Sequence, residues 1–251
     1  MRSNRTTLAP VIMALAFLGA CSVPDRPVQE PRHPHAVLHL AALRPVVIGR
    51  AAWHADQAAV RPGLIYDHDV KAVFVHHTDN PNTYDCVKDV PGMLLVLEQQ
   101  HIAAGWDDLG YNFVVDRCGG IYEGRTGSID RDVRGAHTEG FNADTIGIAA
   151  LGNFGPGQQV PHAMLQSIAE IAAWKLDPAE TPLGHVRLTS SNDGSRYPKG
   201  TPVSLNVISG HRDVYETDCP GQALYDALPW IRKTAAALRT KATYTDPPRE
   251  R

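Results

Sequence analysis

A large charge imbalance is missing from this chain. Its 24 Lys and Arg against 27 Asp and Glu leave a formal net charge of −3 over 251 residues. Nothing in that balance points to a nucleic-acid binder, and no nucleic-acid partner is expected. Long apolar runs are missing too. The stretch Val11 to Ala20 is apolar but too short for an ordinary membrane-spanning helix. Internal repeats and low-complexity blocks are absent, which excludes a repeat array. Cysteine is scarce, at four residues, so each one invites its own assignment.

What the N-terminus does contain is an export signal. Arg2 and Arg5 precede the apolar run, which closes on Leu18-Gly19-Ala20-Cys21. This ending resembles the lipobox of bacterial lipoproteins, in which cleavage before the cysteine leaves a new N-terminal residue that carries lipid. The expectation is therefore a signal over 1–20, a lipidated Cys21, and a bacterial protein anchored to a membrane of the cell envelope. The alternative is an ordinary secretory signal with Cys21 near its cleavage site by chance. A proline-rich stretch follows (PDRPVQEPRHP) and reads as an extended tether within 21–44. The last residues, TDPPRER, read as a frayed tail within 241–251. Between them, 45–240 is enough for one well-buried domain.

Hydrophobic periodicity outlines that domain. Lys71 to His77 is β-branched and apolar and predicts a buried strand. Gly92 to Ala104 predicts a helix with Met93, Leu94, Leu97, His101 and Ala104 along one face. Tyr111 to Asp116 and Ile121 to Glu123 predict a hairpin turning at Gly119-Gly120, and Thr145 to Leu151 predicts another strand. His162 to Leu176 is amphipathic at helical spacing. The Pro-, Gly-, Ser- and Asn-rich segment Asp177 to Thr201 reads as a surface excursion before a strand near Leu205 to Ser209. A last helix is expected over Gln222 to Arg239, restarted at Pro229. Strands mixed with helices, one hairpin among them, give an α/β fold with a central mixed β-sheet flanked by helices.

The chemistry concentrates in two places. His76 closes an apolar strand, and His211 and Cys219 lie on a glycine- and proline-bounded loop, GHRDVYETDCPG. Two imidazoles and a thiolate suit Zn2+ and leave a fourth position open, where water becomes a nucleophile near neutral pH. The seven-residue gap between His211 and Cys219 is no zinc-finger spacing, so spacing alone does not decide whether these residues hold metal.

The wider pattern is far more specific. In order come VFVHHT (73–78), His101 with Gly105-Trp106, DLGYNF (108–113) and IYEGR (121–125), then Gly135-Ala136-His137, Gly140-Phe141-Asn142, TIGI (145–148) and GHRDVYETDCPG (210–221). This set resembles the peptidoglycan recognition protein family, which is similar to the zinc amidases of phage-lysozyme type. It spans Pro45 to Leu238 and begins with Arg50-Ala51-Ala52-Trp53. The long segment before His211 and the cysteine-bearing hairpin look most like actinobacterial secreted members.

The resemblance implies a peptidoglycan-directed N-acetylmuramoyl-L-alanine amidase, a zinc hydrolase cutting the amide between N-acetylmuramic acid and L-alanine. It places the zinc ligands at His76, His211 and Cys219, with His77 the rival of His76; on a strand the two face opposite sides, so only one can reach the metal. Tyr111 matches the family's active-site tyrosine. Thr217 stands where the phage enzymes have a lysine and would donate to an oxyanion. His137 and His101 are candidates for the substrate groove, Glu123 for a general base, and Arg212 and Asp213 for bracing the metal loop. The alternative is a non-catalytic peptidoglycan-binding module; such members typically lack the metal cysteine. A monomer is expected.

With Cys21 assigned to lipid and Cys219 to metal, Cys86 and Cys118 remain. In an oxidising compartment they are expected to pair, the alternative being two buried thiols. Two departures stand out. Thr126-Gly127 follow Arg125 where animal members often have Gly-Trp, and His54 replaces the glycine that usually follows the first tryptophan.

Overall fold

The computed structural model of this chain describes residues 42–244. The export signal, Cys21, the tether up to residue 41 and the tail from residue 245 lie outside the described residues. The expected mixed sheet flanked by helices is present. The elements, in order, are β1 (Ala72–His77), α1 (Val90–Ala103), β2 (Phe113–Val115), β3 (Ile121–Glu123), β4 (Thr145–Ala150), α2 (His162–Lys175), β5 (His185–Thr189), β6 (Pro202–Asn206), β7 (Ile208–Gly210) and α3 (Gln222–Tyr244). Five strands form the main sheet in the order β3-β2-β4-β1-β7. All neighbours run parallel except the β2–β3 hairpin.

β1 and β4 sit at the centre and are covered on both faces, so they are apolar almost without interruption. Register then assigns the faces. Val73 and Val75 pair with Ile146 and Ile148, and these residues share one core cluster with Ile168, Ile171, Leu224 and Ile231 of α2 and α3. His76 pairs with Ala149, which lies on the opposite face with Val114, Leu151 and the α1 residues Leu94 and Leu97. α1 thus roofs part of that second face. It stops at Ala103, Ala104 caps it, and Gly105 follows at φ +87°, the left-handed turn that glycine makes without strain.

Three sequence expectations need correction. The segment before His211 is no featureless excursion: β5 and β6 pair antiparallel as a separate two-stranded sheet, with Val186, Leu188, Val203 and Leu205 turned into the core. The strand expected near Leu205 to Ser209 is two strands. The chain passes from the small sheet to the main one at Val207, whose N–H donates to Gly184 O and whose carbonyl accepts from Val73 N. Finally, α3 does not restart at Pro229; that ring is exposed and lies inside a continuous helix. On the solvent side the helix forgoes one backbone bond without burying an unpaired group.

Cys86 and Cys118 form the expected disulfide. It ties the turn of the β2–β3 hairpin to the segment that leads into α1.

Candidate metal centre and its cleft

β1 ends with two histidines whose side chains part company. His76 is fully buried on the α1 side of the sheet, while His77 turns to the other side, where its Nδ1 accepts from Phe154 N at 3.4 Å. β7 runs beside β1 and stops at Gly210, so the next residue, His211, emerges next to His76; their ring centroids are 4.5 Å apart. Asp213 fixes this corner by accepting from Gly210 N at 2.9 Å and from the Tyr225 hydroxyl at 2.6 Å. Arg212 donates to Gln222 Oε1 at 2.9 Å and to Asp218 O. Cys219 closes the loop, and its Sγ accepts from His77 N at 3.3 Å and lies 3.7 Å from His76 Nδ1. One ligand atom from each of His76, His211 and Cys219 falls within 4.8 Å of the others. The rival His77 is not part of this group.

A hydrogen-bond chain fixes which nitrogen of His76 is free. The Thr145 hydroxyl has one proton and gives it to Phe141 O at 2.7 Å. It therefore accepts from His137 Nε2, 3.4 Å away. That makes His137 Nδ1 a bare acceptor, and it faces His76 Nε2 at 3.2 Å. His76 then carries its proton on Nε2 and turns the lone pair of Nδ1 toward Cys219. A partner on the far nitrogen that sets the tautomer is what a metal-ligating histidine needs. Space for the His137 ring comes from two glycines: a Cβ on Gly147 would lie 2.4 Å from His137 Cγ, and one on Gly135 would lie 2.5 Å from its Cδ2.

Electrostatically the group awaits a cation. Burial, with His211 and His137 adding to it, holds His76 well below the ordinary histidine range. Burial brings His211 down to about 4 and His137 to about 3. These imidazoles are neutral, the form that ligates metal. Burial pushes the Cys219 thiol up to about 12, outweighing the His77 N–H bond and the Arg212 charge that act the other way. A divalent ion at this point would reverse that preference. The donor set of two imidazoles and one thiol fits zinc.

Around this centre lie the other predicted residues. The Tyr111 ring is 5.2 Å from the His76 ring, and burial raises its phenol above the ordinary tyrosine value. Thr217 Oγ1 accepts from Cys219 N at 3.1 Å, which leaves its proton free to donate. His137 is 5% exposed and lines the cleft beside His211. His101 packs against Trp106 and Tyr111, and its Nδ1 accepts from Gly110 N at 2.9 Å; it forms wall rather than cleft surface. The Glu123 carboxylate accepts from Ile129 N at 3.1 Å and is committed to the hairpin.

Two open clefts flank the centre. One, of about 550 Å³, is bounded by His77, Asp79, Arg212, Thr217 and Cys219. The other, of about 480 Å³, is bounded by Trp106, His137, Glu139, Asn192, His211 and Tyr215. Sequence reasoning missed Thr145, Glu139 and Asn192. Thr145 was visible as the first residue of a strand, but nothing in one sequence marks its hydroxyl as the end of a histidine relay.

The fold and this centre define a class, and comparison with known proteins agrees. The sequence profile of the N-acetylmuramoyl-L-alanine amidase (Amidase_2) family matches residues 66–222, and the chain belongs to that family. It is 32% identical over 194 residues to the human protein named N-acetylmuramoyl-L-alanine amidase, covering 76% of this chain and 29% of that one. It is 28% identical to peptidoglycan-recognition protein SC2 of Drosophila melanogaster, covering 75% and 87%. Among solved structures, wild-type Drosophila PGRP-LB has the same fold, with a TM-score of 0.54 at 22% identity over 73% of this chain and 92% of that one.

Proposed function

We propose that this chain is a zinc-dependent N-acetylmuramoyl-L-alanine amidase. It hydrolyses the bond between the lactyl carbonyl of N-acetylmuramic acid and the nitrogen of L-alanine in peptidoglycan. The observation that carries this reading is the convergence of His76, His211 and Cys219 within 4.8 Å, with no other protein ligand among the described residues. A closed structural zinc site has four protein ligands, and this one has three. Zinc held there supplies a Lewis acid that polarises a carbonyl and makes water nucleophilic near neutral pH.

The chain's own groups do the rest. The Thr145–His137 relay holds His76 in the ligating tautomer. Thr217, its oxygen occupied by Cys219 N, turns its proton toward the oxyanion that develops on the amide carbon. The Tyr111 phenol stands against His76 and can donate to the same oxygen or orient the attacking water. Water's oxygen becomes the new carboxylate oxygen, the C–N bond breaks, and a proton from water ends on the leaving amine of L-alanine. The two clefts extend on either side of the centre, as a substrate cut in its middle requires.

A second reading has support in the relatives named peptidoglycan-recognition proteins, namely a module that binds peptidoglycan without cutting it. Cys219, at the centre of the ligand group, favours catalysis. The export signal and lipidated Cys21 belong to the proposal as well, on sequence grounds alone; finding the mature protein free in the medium without Cys21 would sink them. The deciding assay incubates the chain lacking residues 1–21 with defined muropeptides, with and without chelator, then with zinc restored. Mass spectrometry should show intact stem peptide with a free L-alanine amine, lost on chelation and regained with zinc. Binding without cleavage by metal-loaded protein would replace the enzyme with the recognition module.

A further inference from the structure

Two segments that build the metal centre have no regular structure of their own. Residues 134–144, which carry His137, form neither strand nor helix, and the same holds for 214–221, which carry Cys219 beyond the 3-10 turn His211–Asp213. Tertiary contacts must therefore set how the two face each other. The tip of the β5–β6 hairpin, 190–201, touches both. Ser191 N donates to Gly140 O at 2.9 Å on the first segment, and Arg196 N donates to Val214 O at 2.8 Å on the second. Gly140 lies so close to the tip that a Cβ there would be 2.8 Å from Ser190 Oγ.

The tip is cross-bonded within itself. The hydroxyl of the buried Ser190 donates to Asn192 O at 2.7 Å, and the Ser195 hydroxyl donates to Tyr197 O at 2.7 Å while accepting from Tyr197 N at 3.1 Å. Lys199 N donates to Asp193 Oδ1 at 2.8 Å. Tyr197 then reaches in two directions. Its ring meets Phe141 edge-on, with centroids 6.2 Å apart, and its hydroxyl donates to Asp213 O at 3.5 Å. Phe141 O is the acceptor that takes the Thr145 proton, so it starts the chain that sets the His137 and His76 tautomers. Asp213 fixes the corner from which His211 emerges. Tyr197 borders neither of the two clefts, so its contacts act on the centre and not on what enters it.

We propose that the hairpin tip is a clamp on the metal centre, with Tyr197 as its positioning residue. It holds the Phe141 turn and the Asp213 corner at the spacing in which His76, His211 and Cys219 converge, and so raises zinc affinity. This rests on the zinc-site reading above and is independent of which bond the centre cuts. Ligands held in place before the ion arrives bind it more tightly than ligands that the ion must order.

The test measures zinc affinity by competition with a chelator, on folded protein well below its melting transition, where a loss of stability alone leaves the affinity unchanged. Tyr197→Ala should weaken zinc binding by about fivefold to tenfold, and Tyr197→Phe, which keeps the ring on Phe141, should stay within about twofold of the unaltered chain. Replacing 191–200 by Asn-Gly leaves Ser190 and Thr201 paired across a two-residue turn and keeps β5 and β6; it should weaken binding by about tenfold or more. Val186→Ala, in the same hairpin but turned into the core, should lower the melting temperature of the metal-free protein and leave zinc affinity where it was. Unchanged affinity in Tyr197→Ala would overturn the clamp, and so would an equal loss in Val186→Ala, which would make the hairpin a scaffold without a special role for its tip. If the unaltered chain holds no zinc, the metal centre itself falls and the clamp with it. Zinc held by the unaltered chain and weakened in Tyr197→Ala, with no muropeptide cut by either, would leave the clamp standing and remove the hydrolase.

Discussion

Two buried polar clusters lie on the α1 side of the sheet, and they are built on opposite rules. In the first, Arg50 sits between two carboxylates, with Nη2 2.5 Å from Glu98 Oε1 and Nη1 3.1 Å from Asp108 Oδ1. The remaining carboxylate oxygens accept backbone N–H groups, Glu98 Oε2 from Asp56 at 2.9 Å and Asp108 Oδ2 from Thr126 at 2.8 Å. Arg50 also donates to Gly124 O and stacks over Trp53. Each charge in it has partners within the protein. In the second cluster, His76, His211 and Cys219 turn donor atoms toward one point that no protein group fills. Complete internal satisfaction marks a structural network, and metal-ligand atoms that converge on one point mark a site.

The sharpest way to test this contrast is to remove one member from each cluster. Cys219→Ser should abolish zinc retention and lower muropeptide cleavage by at least about 10³-fold, with the thermal midpoint of the metal-free protein little changed. Metal analysis and a melting curve suffice. Arg50→Met should do the opposite. It leaves Glu98 and Asp108 buried without their cation and should cost about 3–5 kcal/mol of stability, while each folded molecule keeps its activity. A variant of Arg50 that folds normally and fails to cleave would erase the distinction between the clusters.

Two tyrosines repeat the contrast on a smaller scale. The Tyr122 hydroxyl donates to Asp116 Oδ2 at 2.9 Å, whereas Tyr111 has its ring against His76 and His101 and no hydrogen bond from its phenol among the described residues. Tyr111→Phe should lower kcat by about tenfold to a hundredfold with KM little changed, because the phenol acts on charge that exists only in the transition state. Tyr122→Phe should leave kcat alone and cost about 1 kcal/mol of stability. Equal kinetic effects from both would sink the assignment. Smaller again is Thr145→Val. It removes the hydroxyl that fixes the His137 and His76 tautomers, and zinc affinity should fall by about tenfold when measured by competition with a chelator. An unchanged zinc affinity would mean that His76 presents its Nδ1 without help.

How much of this was legible in the sequence follows the same division. His76, His211 and Cys219 stood out because ligand chemistry limits residue types, and the ordered motifs around them resemble a family with that site. The strands β1 and β4 and the helix α2 announced themselves by apolar pattern. The Arg50–Glu98–Asp108 network did not, because nothing in the isolated sequence says that charges so far apart will be buried together. The β5–β6 hairpin was hidden by its own composition. His-Val-Arg-Leu-Thr and Pro-Val-Ser-Leu-Asn both alternate with period two, but Pro, Gly, Ser and Asn between them read as loop. Period-two alternation, weighed before loop composition, would have found it.

The last departure from the family pattern, His54, has a conformational explanation that places it with the structural cluster. It follows Trp53 at the end of the short 3-10 turn Arg50–Trp53, with φ 62° and ψ 34°, and its N–H donates to Ala51 O at 3.3 Å. That is the left-handed region, where glycine sits freely and a residue with a Cβ meets the following carbonyl. The imidazole is exposed, so little packing compensates for the strain. His54→Gly relieves about 1 kcal/mol of left-handed strain but returns part of it through the greater freedom of glycine in the unfolded chain. A net gain of about 0.5 kcal/mol should remain, a rise of one or two degrees in melting temperature for a domain of about this size. Cleavage rates should not move, because the turn is tied to the hairpin by Trp53, whose indole nitrogen donates to Glu123 O at 3.0 Å, and to α1 by the Arg50–Glu98 pair, not to a metal ligand. A loss of stability in His54→Gly would show that the imidazole contributes a contact outweighing the strain. A change in kcat would show that the two clusters are mechanically joined through this turn, and the contrast drawn between them would no longer hold.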